Sequence, residues 1–227
     1  MTAKTAPDPR VGLKAGMFDA GTATFGLNVT ANRQAPAPFK GQTNADLAFT
    51  GNYAIQGNYA GLLIWDVSNP ANPVLAASYP CPASQNDVSV FHNLVFMSSE
   101  GTSSRLDCAV GGVAQPVSPI RMRGVRVFDI SDIKNPKLVA SVQTCRGSHT
   151  HTLVEDPHDK ENVYIYVSGS AGLRSADELA GCTKDNPDMA SSALWRIEII
   201  KVPLAHPEQA AVVNRANIFS GLKEAPE

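Results

Sequence analysis

Short stretches of hydrophobic residues alternate with short polar stretches along most of the chain. Apolar, β-branched and aromatic residues fill segments such as 62–67 and 125–130, and Gly, Pro, Asn, Asp and Ser fill the intervals between them. The first group favours extended backbone, and the second favours turns. The pattern therefore predicts many short β-strands.

Two of these stretches repeat the same pattern. Residues 61–77 read GLLIWDVSNPANPVLAA, and residues 124–140 read GVRVFDISDIKNPKLVA. The interval from Asp66 to Pro73 equals the interval from Asp129 to Pro136. A weaker third copy covers residues 194–213, and in it Ile200 stands at the Asp position. A fixed internal spacing of this kind predicts a repeat architecture.

Each copy reads as two strands joined by a polar turn, and a further pair of short strands precedes it. Asp66 and Asp129 are expected to accept backbone N–H bonds within those turns. The unit is thus four antiparallel strands repeated three times, which is typical of a β-propeller. We assign the blades to residues 44–82, 84–145 and 148–217.

Two blades are longer than the first because insertions separate their second and third strands, at about residues 100–123 and 170–192. Residues 1–43 lack the repeat and contain one candidate strand, residues 24–30. We interpret residues 1–43 as a wrapping segment or an added edge strand, and residues 44–227 as a partial propeller. A β-sandwich is the alternative all-β fold, since it also uses short strands at regular spacing.

The third-strand sequences LLIWDVSNPANPVL and VRVFDISDIKNPKLV resemble the LVIVD repeat, a bacterial β-propeller repeat. The resemblance covers residues 44–217 and is weakest in the third copy. It implies a propeller fold and, in most members, export from the cytoplasm, but no established reaction. Because propellers usually need at least four blades, we expect an incomplete ring here, with the remaining blades in a longer chain. Closure by oligomerisation is the alternative.

Composition narrows the range of partners. Nineteen basic residues against 21 acidic ones leave a formal net charge of −2, so no positive surplus is present to neutralise nucleic-acid phosphates. No apolar stretch is long enough to span a membrane. Residues 1–10 lack the apolar core of a signal peptide, which we attribute to a truncated or processed N-terminus.

Four cysteines form two pairs that occupy equivalent places in the repeat. Cys81 and Cys145 end fourth strands, while Cys108 and Cys182 lie in the insertions that follow. The repeat predicts disulfides Cys81–Cys108 and Cys145–Cys182. Such bridges indicate an oxidising compartment, whether periplasmic, cell-surface or extracellular. A four-cysteine metal site is the alternative, although no C-x-x-C spacing supports it.

Candidate binding residues cluster at the starts of the first strands, which line the central channel of a propeller. Alignment of the repeats places Asp46, Asp87 and His151 at equivalent positions. His149 lies two residues earlier on the same face as His151, and Arg146 comes just before them. These groups could bind a metal, an anion or a sugar-like ligand, with His149 and His151 as the metal ligands. The alternative is structural hydrogen bonding to neighbouring turns.

Other conspicuous side chains are assigned to structure. Aromatic residues at repeat positions are expected in the core between blades: Trp65, Phe128 and Trp195. Arginines in or beside the first insertion are expected on a solvated face, with an anion or partner contact as the alternative: Arg105, Arg121, Arg123 and Arg126.

Two functional hypotheses remain open. The first is an exported binding module for proteins or surface glycans, supported by the repeat, the cysteines and the lack of a recognised catalytic motif. The second is a metal-dependent hydrolase or oxidase around His149 and His151. A divalent metal would be its cofactor.

Overall fold

The computed structural model describes residues 7–17, 19–184 and 191–219. The chain divides into two compact units, Met1–Arg33 and Gln34–Glu227. The described part of the first unit consists of turns and extended segments held by local contacts. One such contact is the Gly21 N–H, which donates to the Lys14 carbonyl at 2.7 Å.

The strand predicted at residues 24–30 is wrong. These residues form no strand, and Phe25 and Leu27 are 100 % and 78 % exposed. Extended backbone becomes a strand only when a neighbouring strand pairs with its N–H and C=O groups. The apolar pattern of this segment could not reveal that no such neighbour is present.

The second unit contains three antiparallel sheets of four strands, each in sequence order from the first strand to the fourth. The first sheet holds β1 (Asn44–Thr50), β2 (Tyr53–Asn58), β3 (Gly61–Asp66) and β4 (Val74–Pro80). The second holds β5 (Gln85–Phe91), β6 (Leu94–Ser99), β7 (Gly124–Asp129) and β8 (Lys137–Gln143). The third holds β9 (Thr152–Asp156), β10 (Asp159–Val167), β11 (Arg196–Pro203) and β12 (Ala211–Asn217). The all-β prediction is confirmed: the sheets are the blades of an incomplete β-propeller.

Asp66 and Asp129 accept backbone N–H bonds within their turns, as the sequence predicts. The Ser68 N–H donates to Asp66 Oδ1 at 2.9 Å, and the Ser131 N–H donates to Asp129 Oδ1 at 2.8 Å. Each bond turns the backbone sharply at the end of the third strand. These hydrogen bonds also hold the pKa of both carboxyls below its ordinary value.

The third copy differs from its predicted alignment. The Val67 N–H, just after β3, donates to the Asn52 carbonyl in the turn between β1 and β2. The Ile130 N–H, just after β7, donates to the Asn93 carbonyl in the turn between β5 and β6. In the third sheet the corresponding donor is Leu204, which bonds the Glu161 carbonyl at 2.9 Å. Pro203 therefore occupies the position of the turn Asp, and the assignment to Ile200 is wrong. Ile200 is fully buried in mid-strand, since β11 is longer than β3 and β7.

Two apolar layers join the sheets. Successive side chains along a strand point to opposite faces of the sheet, so each face can pack against one neighbouring sheet. The layer between the first and second sheets is built on Ile55, Leu62, Ile64, Val88, Val95, Met97 and Phe128. The layer between the second and third sheets is built on Leu94, Phe96, Val125, Val127, Val163, Ile165, Ile200 and Val202.

Gly57 allows the first two sheets to approach closely. A Cβ atom at this position would lie 1.8 Å from the carbonyl oxygen of Asn86. The Asn86 side chain in turn donates to the Asn58 carbonyl at 2.6 Å. The backbone of β2 and the start of β5 are thus in direct polar contact, and only glycine fits between them.

The predicted aromatic core is correct at one position and wrong at another. Phe128 is fully buried between sheets, while Trp65 is half-buried against Phe39 and Leu75. Trp195 is 52 % exposed and contacts Phe219 edge-on at a centroid distance of 5.7 Å. It lies immediately before β11 and not within it, so it does not reach a layer between sheets.

Candidate functional site

The first strands of successive sheets place two carboxyl groups together. A β-bulge interrupts β1 between Asn44 and Leu47, and another interrupts β5 between Gln85 and Val88. Bulges redirect side chains at strand ends. Asp46 and Asp87 lie within these irregular segments, and their carboxyl groups are close enough to hydrogen-bond to each other. The two residues that the repeat alignment places at equivalent positions are thus neighbours in the structure.

The Asp87 carboxyl is electrostatically strained. Burial raises its pKa to about 6, assisted by the negative charge of Asp46 and the hydrogen bond between the two groups. The His151 backbone N–H and the nearby His149 oppose this rise. Two adjacent carboxyls cannot both ionise without an energetic cost, so the Asp87 carboxyl retains its proton up to about pH 6.

His151 lies behind this pair and is fully buried. Its Nε2 lies 2.6 Å from Ser89 Oγ, and its Nδ1 lies 2.8 Å from Ser98 Oγ. Its backbone N–H donates to Asp87 Oδ2 at 3.4 Å. Burial lowers the pKa of the imidazole to about 4, so the ring is neutral at physiological pH. His151 therefore fastens the third sheet to the second.

The other two predicted residues have different partners. His149 is half exposed, and its Nδ1 lies 2.8 Å from Glu100 Oε2. Glu100 also accepts a hydrogen bond from the Ser170 hydroxyl. Arg146 donates from Nε to the Ala171 carbonyl at 2.9 Å, so it holds the start of the second insertion and does not join the carboxyl pair.

The predicted metal pairing of His149 and His151 has no support in this geometry. Both ring nitrogens of His151 already contact serine hydroxyls. Within residues 7–17, 19–184 and 191–219, no group of three or more His, Cys, Asp or Glu side chains is placed to hold a metal ion. Beside the carboxyl pair, His149 acts electrostatically on Asp87 and is paired with Glu100. We call Asp46, Asp87, Glu100 and His149 the first-strand rim.

Sequence reasoning missed the partners of these residues. Ser89 follows Asp87 by two positions, so strand alternation places both on one face and could have identified it. Glu100 and Ser170 begin the two insertions, outside the repeat, and no spacing relates them to His149. Their contribution depends on how the insertions fold.

Both insertions are tied to the sheets by disulfides. Cys81 is bonded to Cys108, and Cys145 is bonded to Cys182. These are the pairs that follow from the repeat.

The insertions also contact each other through Glu178. This carboxylate accepts from Arg121 Nη1 at 2.6 Å and from the Ser118 N–H at 3.2 Å. Residues from the two insertions are therefore held against one another.

The arginines expected on a solvated face are mostly buried. Arg121, Arg123 and Arg126 are 5 %, 4 % and 0 % exposed, while Arg105 alone stays near the surface, paired with Asp107 at 2.6 Å. The solvated-face prediction is wrong for the first three because the first insertion folds over them. Burial lowers the pKa of Arg126 to about 10, and its Nη2 donates to the Arg105 carbonyl at 2.9 Å.

Comparison with known families agrees with this geometry for the first sheet. Residues 41–80 match the family model described as LVIVD repeat. These residues are similar to an LVIVD repeat. The match spans β1 to β4, so the LVIVD repeat corresponds to one complete four-stranded blade.

Comparison with solved structures adds remote likenesses. The chain is similar to a phage phi92 endosialidase at 11 % identity with a TM-score of 0.40, covering 78 % of this chain and 26 % of that one. It thus spans about a quarter of the endosialidase. It is also similar to the computationally designed Ika4 protein at 14 % identity with a TM-score of 0.32, covering 81 % and 99 % of the two chains. No curated protein matches the chain.

Proposed function

We propose that this LVIVD-repeat module is an exported carbohydrate-binding module, and that surface glycans bind at the first-strand rim. The observation that carries the proposal is the Asp46–Asp87 carboxyl pair. Other aspartates, such as Asp129 and Asp132, accept backbone N–H bonds of their own turns. Asp46 is instead exposed and interacts with Asp87, whose pKa is raised to about 6.

Carboxylates in this arrangement suit a ligand rich in hydroxyl groups. An ionised carboxyl only accepts hydrogen bonds. A hydrogen bond from a hydroxyl group to this charged acceptor is stronger than a hydrogen bond between two neutral groups. Adjacent hydroxyls of a sugar ring can donate to Asp46 and Asp87 together. His149 acts electrostatically on Asp87 and is paired with Glu100, so these two side chains offer further polar groups.

Export is supported by the two disulfides, because such bonds persist in oxidising compartments. Among the residues that the structure describes, no helix is long and apolar enough to cross a bilayer. A protein partner and a metal-dependent reaction are the competing outcomes of the test below.

The test is a glycan array probed with the full chain, followed by calorimetric titration of the best ligand. Replacing both rim aspartates, Asp46→Asn and Asp87→Asn, should weaken binding about tenfold or more, as expected when a hydrogen bond to a charged group is lost. Asp132→Asn is the matched control, since its amide oxygen can still accept the Lys134 N–H.

The control should bind like the original chain. Unchanged affinity in the double variant would refute the rim as the site. Failure to bind any glycan at millimolar concentration would refute carbohydrate binding and leave a protein partner. Stoichiometric metal in the purified chain would instead favour the metal-dependent reaction.

A further inference from the structure

A second polar site lies between the two insertions, apart from the carboxyl pair of the rim. A cavity of about 440 Å³ is lined by residues of both insertions, among them three arginines: Arg121, Arg123 and Arg174. We call it the inter-insertion cavity. All three arginines are at most 5 % exposed.

Two of these arginines are fully occupied by protein acceptors. Arg121 donates to the Thr102 and Pro116 carbonyls at 2.8 and 2.9 Å as well as to Glu178. Arg174 donates to Gln143 Oε1 at 2.6 Å and to Glu178 Oε2 at 3.2 Å. One carboxylate therefore serves both guanidinium groups.

Of the three arginines that line the cavity, Arg123 is the one with unused donor capacity. Its Nη2 donates to the Gly172 carbonyl. Its Nε is buried and has no hydrogen-bond partner in the described part of the chain. A buried donor without a partner is costly, and a fork-shaped guanidinium commonly satisfies such donors by binding an oxyanion.

The local charge balance also favours an anion. Burial and the positive charges of Arg174 and Arg121 lower the pKa of Arg123, while Glu178 and Glu100 oppose them. Glu178 is shared between two arginines, and Glu100 is engaged by His149 and Ser170. Among the described residues, no carboxylate forms a hydrogen bond with Arg123.

We propose that the inter-insertion cavity binds a tetrahedral oxyanion, such as a sulfate or phosphate ester group, on the guanidinium of Arg123. The anion would accept from the Arg123 guanidinium and gain from the positive field of Arg121 and Arg174. Planar guanidinium forks match the oxygen spacing of such groups. This site does not depend on the carbohydrate proposal, because it uses none of its aspartates.

Gly172 permits a test that leaves the packing intact. It lines the cavity, its carbonyl is bonded to Arg123, and a Cβ atom at its position meets no atom within 4 Å. Gly172→Asp would add a competing carboxylate to the cavity. Gly172→Asn has nearly the same shape without the charge and is the matched control.

The experiment is a calorimetric titration of the full chain with inorganic sulfate, at constant ionic strength set by chloride. We expect saturable binding that Gly172→Asp and Arg123→Gln each weaken about tenfold, the loss typical of one charge-assisted hydrogen bond. Gly172→Asn should stay within about twofold of the original chain, since it adds no charge. Titration with inorganic phosphate in parallel identifies which ester is preferred, and tighter binding of either anion supports the proposal.

Two results would overturn the proposal. If neither sulfate nor phosphate gives saturable binding beyond chloride, the cavity is not an anion site. Equal sulfate affinity in Gly172→Asp and Gly172→Asn would show that the anion binds elsewhere. Near-ultraviolet circular dichroism of each variant establishes that it is folded, and the Gly172 pair decides the question if Arg123→Gln unfolds.

Discussion

Replacing Asp87 with asparagine should stabilise the chain at neutral pH. In the folded state the pKa of this carboxyl is raised to about 6 from 3.8, so the folded chain binds its proton more tightly than the unfolded chain. The resulting destabilisation is absent below about pH 4, grows as pH rises, and is complete above about pH 6. Asp87→Asn removes it.

The magnitude follows from the two pKa values. A full difference between 3.8 and about 6 corresponds to about 3 kcal/mol. Water reaches 19 % of the Asp87 side chain, and Asp46 is exposed, so solvent screens part of the repulsion. We therefore expect a gain of about 1 kcal/mol in the free energy of unfolding at neutral pH.

His151 titrates in the opposite sense and gives the prediction a distinctive pH profile. Its pKa is lowered to about 4 from 6.5, so its contribution to stability is full above the unfolded value and is lost as pH falls toward the folded one. In the original chain the two groups partly cancel between these values. In Asp87→Asn only His151 remains, and stability should fall more steeply on acidification.

Urea denaturation followed by tryptophan fluorescence, from about pH 4 to about pH 7.5, measures both effects. Glu155→Gln removes an exposed carboxylate from β9 and serves as the charge control. If Asp87→Asn is no more stable than the original chain at neutral pH, and its pH profile runs parallel, the carboxyl pair is not strained as described.

Three further predictions concern the sheets. Alanine at both Cys81 and Cys108, which are 27 residues apart, should lower the free energy of unfolding by about 3.5 kcal/mol in the chain-entropy model, measured by urea denaturation; a loss below about 1 kcal/mol would contradict that model here. Gly57→Ala should cost about 2 kcal/mol or more, because its Cβ would overlap the Asn86 backbone oxygen; an unchanged thermal midpoint would refute the close approach. Phe96→Ala should cost about 3–5 kcal/mol by opening a cavity between the second and third sheets, and a small loss would show that the layer collapses around it.

Local sequence patterns carried the prediction of the fold because each blade is built from neighbours in sequence. Alternation predicts strands, and Asn, Asp and Pro predict the turns between them. Asp66 and Asp129 are predictable for the same reason, since the groups they bond lie two residues away. The cysteine pairs follow as well, because each insertion returns to the sheet that precedes it.

The errors arise where a residue's surroundings come from distant parts of the chain. Arg126 resembles any charged residue of a strand, and only the folded first insertion buries it. The repeat spacing places Ile200 at the turn Asp position, and this is wrong because β11 extends to Pro203. A fixed spacing does not account for extra residues within a strand. Trp195 follows an apolar pattern that continues just outside its strand.

The candidate sites lie where the three blades cease to resemble one another. Turn aspartates recur in the first two sheets because each accepts the backbone N–H two residues later and so stabilises the same turn. The first strands instead carry Asp46, Asp87 and His151, and the third sheet supplies a neutral imidazole beside two acids. Charges that are adjacent, partly buried and unmatched destabilise a fold. A repeat selected only for stability would not retain them, and for this reason we propose ligand binding at these residues and at Arg123.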